Sequence, residues 1–147
     1  MTRGVFPAGL RQSFADRHTQ PFWDAARDGR LAAPKCDACG TFVLPPKPYC
    51  FECLGQDFTW TDLPGTGTIY TFTVVRHPLN PKLKDVVPYV SGVIELDGTQ
   101  GAGARLMGNI FGADPDGVRI GDRVEVDFTP IGDDYAVMRF RHLGAAA

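Results

Sequence analysis

Long apolar runs are missing from this 147-residue chain. No stretch approaches the ~18 consecutive apolar residues of a spanning helix, so no transmembrane helix is expected. The opening residues, MTRGVFPAGLRQSF, carry Arg3 and Arg11 with no apolar stretch between them, and they do not read as a secretory signal. Serine is scarce: Ser13 and Ser91 are all there is. Histidine is confined to His18, His77 and His142, each in a different segment. A nucleophile needs a base within hydrogen-bond reach, and no Ser–His–Asp or Cys–His order can be argued from these residues. There is no phosphate-binding Gly-Lys loop and no dinucleotide fingerprint; the glycines from Gly98 to Gly103 sit in a turn between strands, without a helix after them. An excess of positive charge is lacking too. Lys and Arg number 15 against 17 Asp and Glu, a net charge of −2. A protein that holds a phosphate backbone by charge alone is usually more basic.

Cysteine is absent everywhere except between residues 36 and 53, where Cys36, Cys39, Cys50 and Cys53 form two CxxC pairs. Without a secretion signal a disulfide framework is not expected, and a reduced, cytoplasmic setting is. Each CxxC turns two thiolates toward one point, and two such knuckles at hairpin distance complete a tetrahedral four-sulfur site. That donor set suits zinc, or a single iron, and zinc is the expected metal. Four protein ligands leave no open position, so the site is structural rather than catalytic. Gly40 and Gly55, just after each pair, are expected to permit the tight turns. Pro45, Pro46 and Pro48 stiffen the connection. Phe42, Tyr49 and Phe51 either pack around the metal loops or face a partner.

The chain divides into four segments: a helical arm at 1–32, a zinc ribbon at 33–59, a strand-rich barrel at 60–143 and a frayed, disordered tail at 144–147. In the arm, Leu10 and Phe14 share one face of a short helix. The stronger helix is expected at 21–30, with Pro21 in the first turn, Thr19 as cap, Asp24 near the positive end and Gly29 as stop. Its apolar stripe is Phe22, Trp23 and Ala26, which packs either on this chain or on a partner. After residue 60 the apolar period becomes two, and strands are expected at 68–77, 89–96, 105–112, 123–131 and 135–143. Five strands without a helix between them suggest a small closed barrel of the OB type, with Gly92 and Gly108 marking bulges or sharp coiling. The fold class is therefore mainly β. The carboxylates Asp114, Asp116, Asp133 and Asp134 read as solvated turn residues. His77 reads as a loop histidine. Arg139 and Arg141, two apart on one strand, share a face.

The order PFWDAARDGRL (21–31), CDACG (36–40), YCFEC (49–53), GTGTIYTFTVV (65–75), VPYVSGVIEL (87–96) and VRIGDRVEV (118–126) resembles the DUF35 family over residues 15–143. The resemblance implies a rubredoxin-like zinc ribbon joined to an OB-fold behind a helical arm. It implies an accessory subunit that handles no chemistry itself and associates with a thiolase-fold enzyme acting on acyl-CoA thioesters. The partners it implies include thiolases, aldolases of steroid side-chain degradation and hotdog-fold enoyl-CoA hydratases, with a heterotetramer as the assembly and acyl-CoA near the shared interface. Carried onto this chain, Cys36, Cys39, Cys50 and Cys53 hold zinc, and Phe22, Trp23, Tyr49 and Phe51 face the partner. No catalytic residue carries over. By residue type, Arg76, Lys82, Lys84, Arg139 and Arg141 are candidates for an anionic ligand such as the diphosphate of a pantetheine arm. The alternative function is single-strand nucleic-acid binding by the OB barrel, with Tyr70, Phe72, Tyr89 and Phe111 as stacking platforms. A third is an independent thioester enzyme.

Overall fold

The computed structural model describes residues 15–99, 103–131 and 135–146. The expected Leu10–Phe14 face, Ser13 and the Asp133–Asp134 pair lie outside them. Helix α1 spans Gln20–Arg27. It ends earlier than the expected residue 30, and Gly29 is the reason. Gly29 takes φ +76°. Its N–H donates to Ala26 O at 3.0 Å, and the Arg30 N–H reaches back to Ala25 O at 2.8 Å. Together these bonds close the helix in a Schellman motif. Thr19 stands at the N-cap but its side chain makes no capping bond. Asp16 organises the entry instead: its Oδ1 accepts from the N–H groups of His18 and Thr19 at 2.8 and 2.9 Å. These bonds shape the turn that leads into the helix, while the N–H groups of Phe22 and Trp23 are taken by the Thr19 backbone carbonyl at 3.0 and 3.2 Å.

Strands β1 (Ala32–Cys36) and β2 (Phe58–Asp62) form an antiparallel hairpin that carries the cysteine loops. The barrel strands are β3 (Thr66–Val75), β4 (Tyr89–Leu96), β5 (Arg105–Phe111), β6 (Arg123–Ile131) and β7 (Tyr135–Gly144). They close in the order β3-β4-β5-β7-β6. All contacts are antiparallel except β5 with β7, which run parallel at Ile110↔Phe140 and Phe111↔Arg141. This is a five-stranded Greek-key barrel of the OB type. β7 runs through Gly144, one residue into the segment read as a tail.

The alternation in β4 is strict: Val90, Gly92, Ile94 and Leu96 point in and are buried. Gly92 and Gly108 pair directly across β4 and β5 in an unbroken register, so neither is a bulge. Each instead clears space for a large neighbour. A Cβ on Gly92 would lie 2.4 Å from Ile110 Cδ1, and one on Gly108 would lie 2.8 Å from the Phe140 ring. The bulge falls on β3, where the register shifts between Ile69 and Thr71 and Tyr70 is the extra residue.

One apolar core joins the parts. Phe22 and Ala26 of α1, Leu31, and Ala33 and Phe42 of the ribbon pack with Ile69, Val90, Ile94, Ile110, Val124 and Phe140 of the barrel. A second, small cluster of Cys36, Val43, Cys50 and Phe58 lies under the cysteine loops. No helix among the described residues is long and apolar enough to cross a membrane.

Candidate metal centre

The two cysteine knuckles are built alike. In the first, the Gly40 N–H donates to Cys36 O at 2.8 Å; in the second, the Leu54 N–H donates to Cys50 O at 2.9 Å. Both donors sit in the left-handed region, Gly40 at φ +76° and Leu54 at φ +64°. The left-handed residue of the second knuckle is thus Leu54 and not the expected Gly55. Gly55 serves by its size: a Cβ there would stand 3.3 Å from the sulfurs of both Cys36 and Cys53. Its carbonyl also accepts from the Cys50 N–H at 2.8 Å.

These turns gather the four sulfurs. Cys36 and Cys53 Sγ are 3.5 Å apart, and Cys39 and Cys50 Sγ are 3.6 Å apart. All four lie within 4.8 Å of one another. A disulfide needs about 2 Å between sulfurs, so none is formed. Zinc at about 2.3 Å from each sulfur requires tetrahedral edges of about 3.8 Å, close to the Cys36–Cys53 and Cys39–Cys50 separations. Cys36 and Cys50 are buried, while Cys39 and Cys53 face solvent.

The thiols are electrostatically divided. Hydrogen bonding from Thr41, through its hydroxyl and its backbone N–H, holds Cys39 down to about 6. Gly55 draws Cys53 in the same direction through a backbone hydrogen bond, but hydrogen bonding with the neighbouring sulfurs of Cys36 and Cys39 pushes it up to about 12. Four thiolates at one point need a cation to ionise together, and a divalent metal supplies it. The geometry and the donor set fit a structural four-cysteine zinc site with no coordination position left open.

The remaining sequence candidates are dispersed. Phe22 is buried in the chain's own core. Trp23 stands edge-on to Phe22 at 5.2 Å and to Tyr135 at 6.1 Å. Tyr49 and Phe51 project into solvent beside Leu54, which is 70 % exposed. Arg76 pairs with Asp116 at the rim of a cleft of about 510 Å³, whose floor includes Val90, Ile110 and Phe111 and whose wall carries Tyr89. Lys82 and Lys84 are exposed on the loop before β4. Arg139 and Arg141 do share the outer barrel face, where each meets a carboxylate across the β6–β7 pair. Arg139 donates to Asp127 at 2.7 Å, and Arg141 pairs with Glu125.

Among the four stacking candidates, Phe72 packs against the core. Tyr70 is covered by the Arg105 guanidinium at 3.7 Å, and Phe111 by that of Arg139 at 4.5 Å.

Two polar pairs were not legible beforehand. Asp122 Oδ2 lies 2.7 Å from His142 Nε2 and accepts from the Arg119 N–H at 2.8 Å. The bond to His142 is the main reason its carboxyl is held below the usual range. Asp97 is gripped by both terminal nitrogens of Arg123, and Thr66 adds a hydroxyl donor. These partners are separated by 20 and 26 positions, and only closure of the barrel brings them together.

A zinc ribbon continuous with an OB barrel defines the class of protein. Two family models match in the same order: the ChsH2 rubredoxin-like zinc ribbon domain at residues 23–59 and the ChsH2 C-terminal OB-fold domain at residues 60–129. The chain belongs to the DUF35 family. It is 35 % identical over 128 residues to a DUF35 domain-containing scaffold protein of Methanocaldococcus jannaschii, covering 86 % of this chain and 87 % of the relative. A probable enoyl-CoA hydratase alpha subunit of Thermomonospora curvata is 34 % identical over 136 residues. That match takes in 92 % of this chain but 41 % of the relative, so the chain spans about two fifths of that protein's length. Among solved structures, a chain of the Ltp2-ChsH2(DUF35) aldolase superposes with a TM-score of 0.75 at 31 % identity, covering 89 % of this chain and 98 % of that one.

Proposed function

We propose that this chain is a non-catalytic accessory subunit that binds and stabilises a thiolase-fold enzyme acting on acyl-CoA thioesters. A retro-aldolase that shortens a steroid side chain is the reaction that fits best. The likeness to the DUF35 chain of the Ltp2-ChsH2(DUF35) aldolase, over nearly the full length of both chains, carries this reading.

The chemistry of the chain supports it. Its thiols are committed to a closed metal site. Its Asp122–His142 pair is tied to the backbone at Arg119 and sits mostly buried. The barrel interior is filled by Phe140, Ile69 and Ile94. The ribbon exposes Tyr49 and Phe51, and we assign the partner contact there. Phe22 and Trp23 contribute by seating the helix that supports the ribbon. Arg76 lines the cleft and is the anion candidate we place nearest a ligand shared with the partner, although it too is paired with a carboxylate, Asp116. Lys82 and Lys84 are exposed on the loop before β4, and Arg76, Arg139 and Arg141 would each first have to leave a carboxylate. The likeness to a hydratase alpha subunit favours a second reading, in which the same module serves a hydratase acting on enoyl-CoA.

Co-expression with thiolase-fold enzymes, followed by size exclusion and by retro-aldol and thiolysis assays on acyl-CoA esters, tests the proposal. A stable hetero-oligomer whose turnover requires this chain is expected. A chain that stays alone beside every such enzyme overturns it. Salt-dependent binding of oligonucleotides, or turnover by the isolated chain, would then select between the other readings.

A further inference from the structure

The parallel seam between β5 and β7 has the shortest ladder of paired residues in the barrel. Among the described residues the two strands pair only at Ile110↔Phe140 and Phe111↔Arg141, whereas β6 and β7 pair along their whole length. Ile110 and Phe140 both point into the core. The residues one position earlier, Asn109 and Arg139, therefore stand side by side on the outer face. Both are covered. Asn109 is 6 % exposed, and the Arg139 side chain is 12 % exposed.

Their polar atoms are only half used. Asn109 Nδ2 donates to Val90 O at 3.1 Å, which fixes the amide orientation, because the opposite one would set two oxygens against each other. Oδ1 is left as a buried acceptor without a partner among the described residues. Arg139 Nη2 donates to Asp127, and its plane lies on the Phe111 ring. Its Nε and Nη1 are buried donors without partners among the described residues. Three orphaned atoms on neighbouring residues, donors on one strand and an acceptor on the other, are complementary to a molecule that both accepts and donates.

We propose that an ordered water molecule is bound at this seam, accepting from Arg139 and donating to Asn109 Oδ1. It pins β5 to β7 where the backbone ladder is shortest. It also steadies Arg139 over Phe111, which floors the cleft beside Arg76. A buried water with two or more such partners is costly to remove.

A crystal structure of the full chain with its ordered solvent resolved tests this directly. One water is expected within hydrogen-bond distance of both Asn109 Oδ1 and an Arg139 nitrogen. A direct Asn109–Arg139 hydrogen bond, or a dry site, overturns the proposal. In Asn109→Leu the water should be lost, and hydrogen exchange at the seam amides of residues 110–111 and 140–141 should quicken about tenfold, the equivalent of one or two net hydrogen bonds. Unchanged exchange would also overturn it. If that variant does not fold, oxygen-17 relaxation dispersion on the unmodified chain reports long-lived internal water, and its absence is decisive against the site.

Discussion

Gly108 on β5 lies flat against the ring of Phe140 on β7, so close that a Cβ at position 108 would sit 2.8 and 2.9 Å from two ring carbons. Phe140 is fully buried and is the largest side chain sealed in the barrel. Gly108 is held in register opposite Gly92, so its strand cannot shift without disturbing the pairing with β4. Gly108→Ala should therefore destabilise the chain by about 1–3 kcal/mol, the usual range for overpacking. The shift in urea midpoint measures it. Adding Phe140→Leu should return part of the loss relative to the sum of the two single variants. Strict additivity would show that the two residues do not limit each other.

The zinc site makes a second expectation. Cys50 is fully buried and Cys36 nearly so, and both belong to the small cluster under the knuckles. Cys50→Ser should release metal, because hydroxyls are poor zinc ligands at neutral pH and ribbon folding is coupled to metal binding. Metal analysis and hydrogen exchange across residues 36–58 read the result. A variant that keeps zinc and an ordered ribbon would refute the four-cysteine assignment.

Leu54 occupies a left-handed conformation that costs a non-glycine residue roughly 1–2 kcal/mol. Leu54→Gly should relieve much of this, offset by the greater chain entropy of glycine, and raise thermal stability by on the order of 0.5–1 kcal/mol. The mirror experiment is Gly40→Ala, which should lower it. Because Leu54 projects beside Phe51, Leu54→Gly should also weaken association with the proposed partner enzyme while improving the isolated chain. Opposite signs in melting and pull-down experiments would separate the two roles.

The Asp97–Arg123 pair gives the chain a defined acid sensitivity. Hydrogen bonding from Arg123, with Thr66 adding its hydroxyl, lowers the Asp97 carboxyl from its ordinary 3.8. A carboxyl depressed in the folded state contributes stability that is fully present above its unfolded value. That contribution fades as pH falls through the folded value. The stability gap between the natural chain and Asp97→Asn should thus be constant near neutrality and close below about pH 4. Denaturant midpoints across that range check it. A gap that persists at the acid end would assign the effect to packing rather than charge.

Much of this molecule is local in origin. The CxxC spacing sets both knuckles, because the bonds that shape them span four residues. The Gly29 stop is likewise written within a single turn. The period-two pattern gives all five barrel strands to within two residues, because alternation is a property of each strand alone. Leu54 shows the limit of such reading. Leucine carries no local sign of a left-handed turn, and the demand comes from the second knuckle copying the first.

The inventory is therefore local: a metal ribbon, five alternating strands and a helix with its stop. How those parts meet is set by closure of the barrel. Barrel closure set Asp122 against His142 and Asp97 against Arg123, and it turned two glycines into clearances for Ile110 and Phe140. It also placed Phe22 inside the chain and left Tyr49 and Phe51 outside. The physical reason is range: turns and periodicity are fixed within a few residues, whereas burial and ion pairing depend on which distant surfaces the closed barrel brings into contact.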